Sequence, residues 1–171
     1  MLIYLTGSMC SGKTRVGKAL ATRLGLPWYD VDRVVEGRVG PLLPYIQQQG
    51  EAAFRREEAD VLAALARESE AVISCGGGTP LNDSVRALMK RTGVVVFLDV
   101  TFPVLMERIE RAGGDRPLLF GLRGEALEAR VRQLLVERVA VYREADVIVP
   151  ADDPWERVAE AVERALRTQE R

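Results

Sequence analysis

The chain has 171 residues, a length typical of one domain. Its 24 Lys and Arg residues are balanced by 25 Asp and Glu residues, and this near-neutral charge excludes the broad basic surface that nucleic acid or anionic lipid would require. The sequence contains no histidine, which excludes a histidine base or metal ligand. Any general base must therefore be Asp, Glu, Lys or Tyr.

Targeting and redox signals are also absent from the sequence. No apolar run approaches the roughly 20 residues of a membrane-spanning helix, and the first residues lack a secretory signal pattern. Cys10 and Cys75 are too few for a disulfide framework and lack metal-ligand spacing. We therefore expect a cytoplasmic monomer with reduced cysteines and with no nucleic-acid or membrane partner.

The predicted elements alternate between strands and helices along the chain. Short, almost continuously apolar runs predict five strands that are covered on both faces, at residues 2–5, 27–29, 71–74, 94–98 and 147–149. Helical periodicity predicts helices at residues 15–24, 51–68, 84–91, 103–111, 124–142 and 154–168. This alternation predicts a parallel sheet between layers of helices, with ligands at the carboxyl ends of the strands.

The first predicted strand leads into G-S-M-C-S-G-K-T, residues 7–14, which matches the phosphate-binding pattern G-x-x-x-x-G-K-[ST]. Its position between a strand and a helix gives the pattern its specificity. Glycines allow backbone N–H groups to surround an anion, and the helix N-terminus adds partial positive charge. We expect Lys13 to reach the β- and γ-phosphates and the Thr14 hydroxyl to complete a magnesium shell.

Two carboxylates, Asp30 and Asp32, follow the second predicted strand. A phosphoryl-transfer site needs a neutralising metal and a positioned nucleophile. We expect the pair to face opposite sides of an extended segment, one toward the metal and the other toward the acceptor. The alternative is that Asp32 caps a helix that starts at Arg33.

Three further features have both a functional and an ordinary interpretation. Gly76-Gly77-Gly78 favours close backbone contact with a ligand, although a sharp turn would explain one of these glycines. The glycine-bounded segment 112–124 carries Arg116 and is typical of a lid, with a surface connection as the alternative. The helical residues Arg55 and Arg138, taken alone, are ordinary solvated charges.

Taken together, these motifs resemble the shikimate kinase family over nearly the whole chain. The resemblance rests on residues 7–21, W-Y-D-V-D-R-V-V-E, F-R-R-E-E, S-C-G-G-G, D-R-P-L-L and E-R-V-A-V-Y. It implies a P-loop NTPase-type α/β fold, a three-layer α/β/α sandwich with five parallel strands. It also implies Mg²⁺-dependent transfer of the γ-phosphoryl group of ATP to the 3-hydroxyl of shikimate, in aromatic amino-acid biosynthesis.

The same resemblance implies a role for each matching residue. Asp32 would be the base or orienter at the acceptor hydroxyls, and Asp30 would face magnesium through water, with Thr14 as the direct ligand. The ATP contacts would be Cys10, Ser11, Gly12, Lys13, Thr14, Arg15, Arg111 and, from the lid, Arg116. The substrate contacts would be Asp32, the glycines Gly76, Gly77 and Gly78, and a carboxylate clamp formed by Arg55 and Arg138.

The sequence departs from the family pattern at two points. The connection between Gly113 and Arg116 is very short, and residues 149–154 offer no second adenine-facing arginine. We expect one domain over residues 1–171, with a substrate-binding region at about 32–60 and a lid at about 112–124. Both cysteines are expected near the active site, with Cys10 reactive in its loop. The alternative is two inert buried thiols.

Two other functions are also compatible with these motifs. A kinase of the same fold could act on another small polyol acid, such as gluconate, through the same carboxylate clamp. A nucleotide-binding regulatory module that no longer transfers phosphate is the other alternative, although Lys13, Thr14, Asp32 and Arg116 are all intact.

Overall fold

A parallel five-stranded sheet forms the centre of the protein, in a computed structural model that describes residues 1–113 and 116–169. The strand order is β2-β3-β1-β4-β5, and every pair is parallel. The strands are β1 (Leu2–Thr6), β2 (Trp28–Asp30), β3 (Ala71–Ser74), β4 (Gly93–Asp99) and β5 (Val147–Pro150). The predicted fold class and number of strands are confirmed.

Helices cover both faces of this sheet. They are α1 (Lys13–Leu24), α2 (Val31–Val39), α3 (Leu42–Gln49), α4 (Glu51–Leu65), α5 (Asp83–Thr92), α6 (Phe102–Ala112), α7 (Gly124–Tyr142) and α8 (Trp155–Gln169). Along β1, Ile3 and Leu5 pack with α1 and α8, whereas Leu2 and Tyr4 pack with α4 and α5. Alternate residues of a strand point to opposite faces, so this division produces the three layers.

A third apolar cluster joins α6 and α7 beside the sheet. Leu105, Ile109 and Leu134 form its buried part, and Leu119 from the connection between the two helices packs into it. Met9 and Cys10 of the loop after β1 lie against the same cluster. Leu119 is therefore anchored next to that loop. Within the described ranges, no helix combines the length and the apolar character needed to cross a membrane.

Helices α2 and α3 are not among the predicted helices, although the alternative interpretation of Asp32 includes a helix that starts at Arg33. Only Val31 and Val35 are buried in α2, and α3 has no fully buried residue. They bury few residues because they cover the edge of the domain rather than its core. Gly40 and Gly50, both at φ +87°, end the two helices.

Candidate active site

The loop between β1 and α1, residues 7–14, is built mainly by its backbone; it is called the phosphate loop here. Gly7 has φ +143°, and a Cβ there would lie 2.9 Å from the Leu98 carbonyl oxygen. Gly12 has φ +95°, and Cys10, at φ +58°, is the one non-glycine with positive φ in the described part of the chain. Left-handed backbone of this kind curls a loop around an anion.

The Lys13 side chain lies inside the phosphate loop and bonds to its backbone. Its Nζ donates to the carbonyl oxygens of Gly7 at 2.8 Å and Ser8 at 2.6 Å, and the side chain is buried. Burial lowers the pKa of Lys13 from 10.5 to about 8, although the nearby carboxylate of Asp32 opposes this. The ammonium group is therefore weakly solvated and available to an anion in the loop.

Thr14 and Asp30 connect the phosphate loop to the end of β2. The Thr14 hydroxyl donates to Asp30 Oδ2 at 2.8 Å, and Asp30 Oδ1 accepts from the Arg33 N–H at 3.2 Å. These hydroxyl and carboxylate oxygens fit Mg²⁺, which prefers such ligands. No group of three or more Asp, Glu, Cys or His residues suitable for a metal occurs in residues 1–113 and 116–169. The phosphates of a bound nucleotide and water would have to supply the other ligands.

The side chains of Asp30 and Asp32 point in different directions, but the reason differs from the expected one. Asp32 does not lie on extended backbone, where it would share a face with Asp30. Helix α2 begins at Val31, so Asp32 lies in its first turn. The alternative, a helix cap at Asp32, is also wrong, since Asp30 is the N-cap. Asp30 thus faces Thr14, whereas Asp32 lines a cavity.

This cavity, called the acceptor cavity here, has a volume of about 340 Å³ beside the phosphate loop. It brings together one predicted carboxylate, Asp32, with the three predicted arginines Arg55, Arg116 and Arg138. Burial, followed by the charges of Glu58 and Asp30, raises the pKa of Asp32 from 3.8 to about 6. The apolar part of its wall is formed by Met9, Leu42, Ile46, Phe54, Pro117 and Leu118.

Glu58 is a cavity residue that the sequence analysis missed. Its side chain is buried, with Oε1 accepting from Arg55 Nη1 at 2.9 Å and Oε2 accepting from the Thr79 hydroxyl at 2.8 Å. It therefore fixes the orientation of Arg55. The three-residue spacing between Arg55 and Glu58 on one helix face could have indicated this pair. Nothing local in the sequence marks Thr79.

The three glycines after β3 make room for these charged side chains. A Cβ at Gly76 would lie 2.7 Å from Glu58 Oε2 and 3.0 Å from Asp32 Oδ1. A Cβ at Gly78 would overlap the Arg55 guanidinium, and one at Gly77 would lie 3.3 Å from Arg138 Nη1. A Cβ at Gly76 or Gly78 would displace a charged side chain of the cavity, and one at Gly77 would crowd Arg138, so a sharp turn alone does not explain the three glycines.

Arg116 and the turn that follows it form one wall of the acceptor cavity. Pro117 and Leu118 line the cavity, and the short turn Pro117–Leu119 contacts α3. The Arg116 Nε is buried and, among the described residues, has no hydrogen-bond partner. Its positive charge helps to lower the pKa of Lys13, so the two cations share one region. Gly114 and Asp115 of the predicted lid lie outside the described residues.

Two of the predicted ATP contacts, Arg15 and Arg111, are exposed and do not line the acceptor cavity. Arg111, in the last turn of α6, pairs with Glu107 at 2.5 Å. On the same helix, Arg108 Nη2 donates to the carbonyl oxygen of Ala151 at 2.9 Å. It also donates to that of Asp152 at 3.2 Å, so an arginine outside residues 149–154 holds this loop.

The two cysteines differ sharply. Cys75 is 3% exposed and packs against Met89, with its Sγ 3.8 Å from Sδ. Burial raises the pKa of the Cys75 thiol far above its ordinary value, so it is the inert core thiol of the alternative interpretation. Cys10 is partly exposed in the phosphate loop.

Known proteins resemble this chain along nearly its whole length. A family model described as shikimate kinase matches residues 9–168. A shikimate kinase from Aquifex aeolicus (strain VF5) is 40% identical over 163 residues, which cover 95% of this chain and 94% of the relative. A shikimate kinase from Salinibacter ruber is 35% identical and covers 99% and 86% of the two chains.

Solved structures give the same result. The shikimate kinase of Bacteroides thetaiotaomicron superposes with a TM-score of 0.89 at 36% identity, covering 100% of this chain and 99% of its own. That of Acinetobacter baumannii, solved in complex with shikimate, has a TM-score of 0.87 at 32% identity over 98% and 93% of the chains. A gluconokinase from Sinorhizobium meliloti, at 22% identity and a TM-score of 0.62 over 98% and 94%, shares the fold.

Proposed function

This chain belongs to the shikimate kinase family, a family of ATP-dependent kinases, and from that premise we propose that it transfers the γ-phosphoryl group of ATP to the 3-hydroxyl of shikimate. One observation carries the proposal: the acceptor cavity brings the Asp32 carboxylate together with the guanidinium groups of Arg55, Arg116 and Arg138 beside the phosphate loop. A small hydroxy acid requires that combination, with positive groups for its carboxylate and a base near its hydroxyl.

The phosphate side would hold the nucleotide. The N–H groups of the phosphate loop surround the phosphates, and Lys13 exchanges its bonds to Gly7 and Ser8 for phosphate oxygens. Mg²⁺, held by Thr14 and through water by Asp30, would neutralise charge on the triphosphate when bound. Arg15, Arg111 and the other predicted ATP contacts remain proposals at the nucleotide end.

The acceptor side would hold shikimate. Arg55, oriented by Glu58, and Arg138, buried beside Gly77, are proposed to bind the carboxylate by charge-assisted hydrogen bonds. The apolar wall suits a carbocyclic ring better than an open-chain polyol acid. This wall favours shikimate over gluconate.

Asp32 is proposed as the group that receives the proton of the acceptor hydroxyl. Its pKa of about 6 keeps it ionised at neutral pH while bringing its basicity closer to the working pH than that of an ordinary aspartate. As the acceptor oxygen bonds to the γ-phosphorus, the bond to the β–γ bridging oxygen breaks. Arg116 and Lys13 would then stabilise the charge on the transferring group.

A coupled ATPase assay with shikimate, gluconate and nucleoside monophosphates tests this proposal. We expect rapid ADP formation with shikimate alone, and a ³¹P spectrum of the product that identifies the 3-phosphate. Turnover of gluconate instead would establish the alternative polyol-acid kinase. ATP binding without turnover of any acceptor would establish the regulatory module.

We also propose a cytoplasmic monomer of one domain, in which residues of about 32–60 and 112–124 form the substrate-binding region and the lid. Neither nucleic acid nor membrane is a proposed partner, in agreement with the formal net charge of −1. Light scattering of the purified protein with and without ATP tests the monomer.

A further inference from the structure

Tyr142, the last residue of α7, makes a hydrogen bond that the proposed chemistry does not use. Its hydroxyl donates to the Gly77 carbonyl oxygen at 2.6 Å. The side chain is 1% exposed, and its ring stacks on Phe97 with the centroids 5.2 Å apart. Burial raises the pKa of Tyr142 above 10, against the opposing charge of Arg138, so the hydroxyl keeps its proton and acts as the donor.

The bond acts on the central peptide of a tight turn. Residues Gly76 to Thr79 form this turn, closed by the Thr79 N–H and the Gly76 carbonyl oxygen at 3.2 Å. Gly78, with φ −93° and ψ −5°, has the conformation of the third residue in a type I turn. A type II turn reverses the peptide between Gly77 and Gly78 and needs positive φ at Gly78.

The sequence of this turn permits both orientations. Glycine adopts positive φ as readily as negative φ, so two central glycines leave the peptide free to flip. In the observed orientation the Gly77 carbonyl points to Tyr142, which does not line the acceptor cavity. The N–H of Gly78 belongs to the same planar trans peptide and points the opposite way. A flip would break the bond to Tyr142 and exchange these two groups.

We propose that the Tyr142 hydroxyl is a positioning group for the acceptor, because it holds the Gly77–Gly78 peptide with its carbonyl directed away from the acceptor cavity. All three glycines line that cavity, and a carbonyl dipole turned into it would repel an anionic carboxylate. The inference rests on the proposed function, since the carboxylate of shikimate is the anion concerned.

The position of Tyr142 on α7 supports this role. Arg138, the proposed clamp arginine, precedes it by four residues and lies on the same helix face. Arg138 approaches Gly77 from that face, and Tyr142 bonds to the same residue. The C-terminal end of α7 therefore positions both the Arg138 guanidinium, which binds the anion, and the Gly77–Gly78 peptide beside it.

The variant Tyr142→Phe removes the hydroxyl and keeps the stacked ring. We expect the dissociation constant for shikimate to rise roughly 3- to 10-fold, the range for one net hydrogen bond, with ATP affinity unchanged within about twofold. Tyr4→Phe is the matched control. Tyr4 is also fully buried, and its hydroxyl shares one 2.7 Å hydrogen bond with Thr92, away from the acceptor cavity.

Glycine-selective ¹⁵N labelling gives a readout that a merely structural role would not change. We expect the amides of Gly77 and Gly78 to show microsecond-to-millisecond exchange in Tyr142→Phe, because the released peptide flips, and to stay unchanged in Tyr4→Phe. Equal shikimate affinity and unaltered glycine signals in both variants would overturn the proposal.

The wild-type protein offers a second test that needs no variant. We expect the Gly77 and Gly78 amides to show no microsecond-to-millisecond exchange, and exchange of a flipping peptide in the wild type would also overturn the proposal. If the wild type failed to bind shikimate, the proposed function would fail. The glycine signals would still decide whether Tyr142 holds the turn.

Discussion

The phosphate loop and the acceptor cavity are built in opposite ways. The phosphate loop is one continuous segment whose shape comes from left-handed backbone at Gly7, Cys10 and Gly12. The acceptor cavity is assembled from side chains on α2, α3, α4, α7 and the turn after α6, together with the glycine backbone after β3. Substitutions in the loop should therefore act through backbone conformation. Those in the cavity should act through the loss of individual charged groups.

The largest effect is expected at Asp32. Asp32→Asn should lower turnover by roughly 10²- to 10⁴-fold, the usual range for a positioned proton acceptor. Asp30→Asn, the matched change on the phosphate side, should mainly raise the magnesium concentration required, because Asp30 faces Thr14. Steady-state kinetics over a magnesium titration measures both. Rescue of Asp32→Asn by magnesium would show that the two roles are reversed.

The next-largest effects should distinguish the two arginines that bind the substrate carboxylate, Arg55 and Arg138, from Arg116, which acts on the transferring group. Arg55→Ala and Arg138→Ala should each weaken shikimate binding by roughly 10- to 150-fold, the equivalent of one charge-assisted hydrogen bond, and leave ATP binding nearly unchanged. Lysine should restore only part of the affinity, since it lacks the two-pronged guanidinium. Arg116→Ala should lower turnover more than affinity, because it acts on charge that develops during transfer.

Calorimetric titrations with shikimate and with ATP, performed separately, measure these differences. The clamp assignment would be wrong if Arg55→Ala and Arg138→Ala weakened ATP binding and left shikimate binding intact.

The raised pKa of Asp32 also predicts that the ionised carboxylate, which accepts the proton in the proposed reaction, lowers the stability of the fold. The folded protein binds the Asp32 proton more tightly than the unfolded chain does, because its pKa rises from 3.8 to about 6. Ionised Asp32 therefore destabilises the fold above pH 6, by at most about 3 kcal/mol. This destabilisation decreases as the pH falls below about 6, because Asp32 is then protonated in the folded protein, and it is lost below pH 3.8.

Asp32→Asn should accordingly raise the unfolding free energy of the ligand-free protein at pH 8, with the gain lost toward pH 4. Urea unfolding at several pH values measures it, and Asp153→Asn, at an exposed position away from the acceptor cavity, is the control. An Asn variant less stable than the wild type at pH 8 would contradict a buried, unfavourable carboxylate.

The same contrast explains what the sequence could predict. The phosphate loop and the five strands were predictable because each is a local pattern that follows the chain. The resemblance assigns Asp32 to the acceptor, and that role stays a prediction. Its direction into the cavity comes from the start of α2 at Val31, which was not predicted. The bonds of Glu58 to Thr79 and of Tyr142 to Gly77 join residues 21 and 65 positions apart. Contacts of that kind depend on how helices pack, so local sequence does not reveal them.

The smallest effect is expected at Cys10, the side chain that tests whether backbone alone builds the phosphate loop. Cys10→Ala should leave turnover and both Michaelis constants within about twofold, because an αL residue is retained and only a thiol is lost. Cys10→Gly should relieve strain at φ +58° by up to about 1 kcal/mol, offset by the greater freedom of glycine in the unfolded chain.

Alkylation of Cys10 should nevertheless inhibit the protein, because the added group obstructs the anion site, and saturating ATP should slow the labelling. Cys75, closed in the core, should remain unlabelled in the folded protein and serves as the internal control. Equal rates of Cys10 labelling with and without ATP would contradict its position at the anion site. A large loss of turnover in Cys10→Ala would show that the side chain contributes to the phosphate loop.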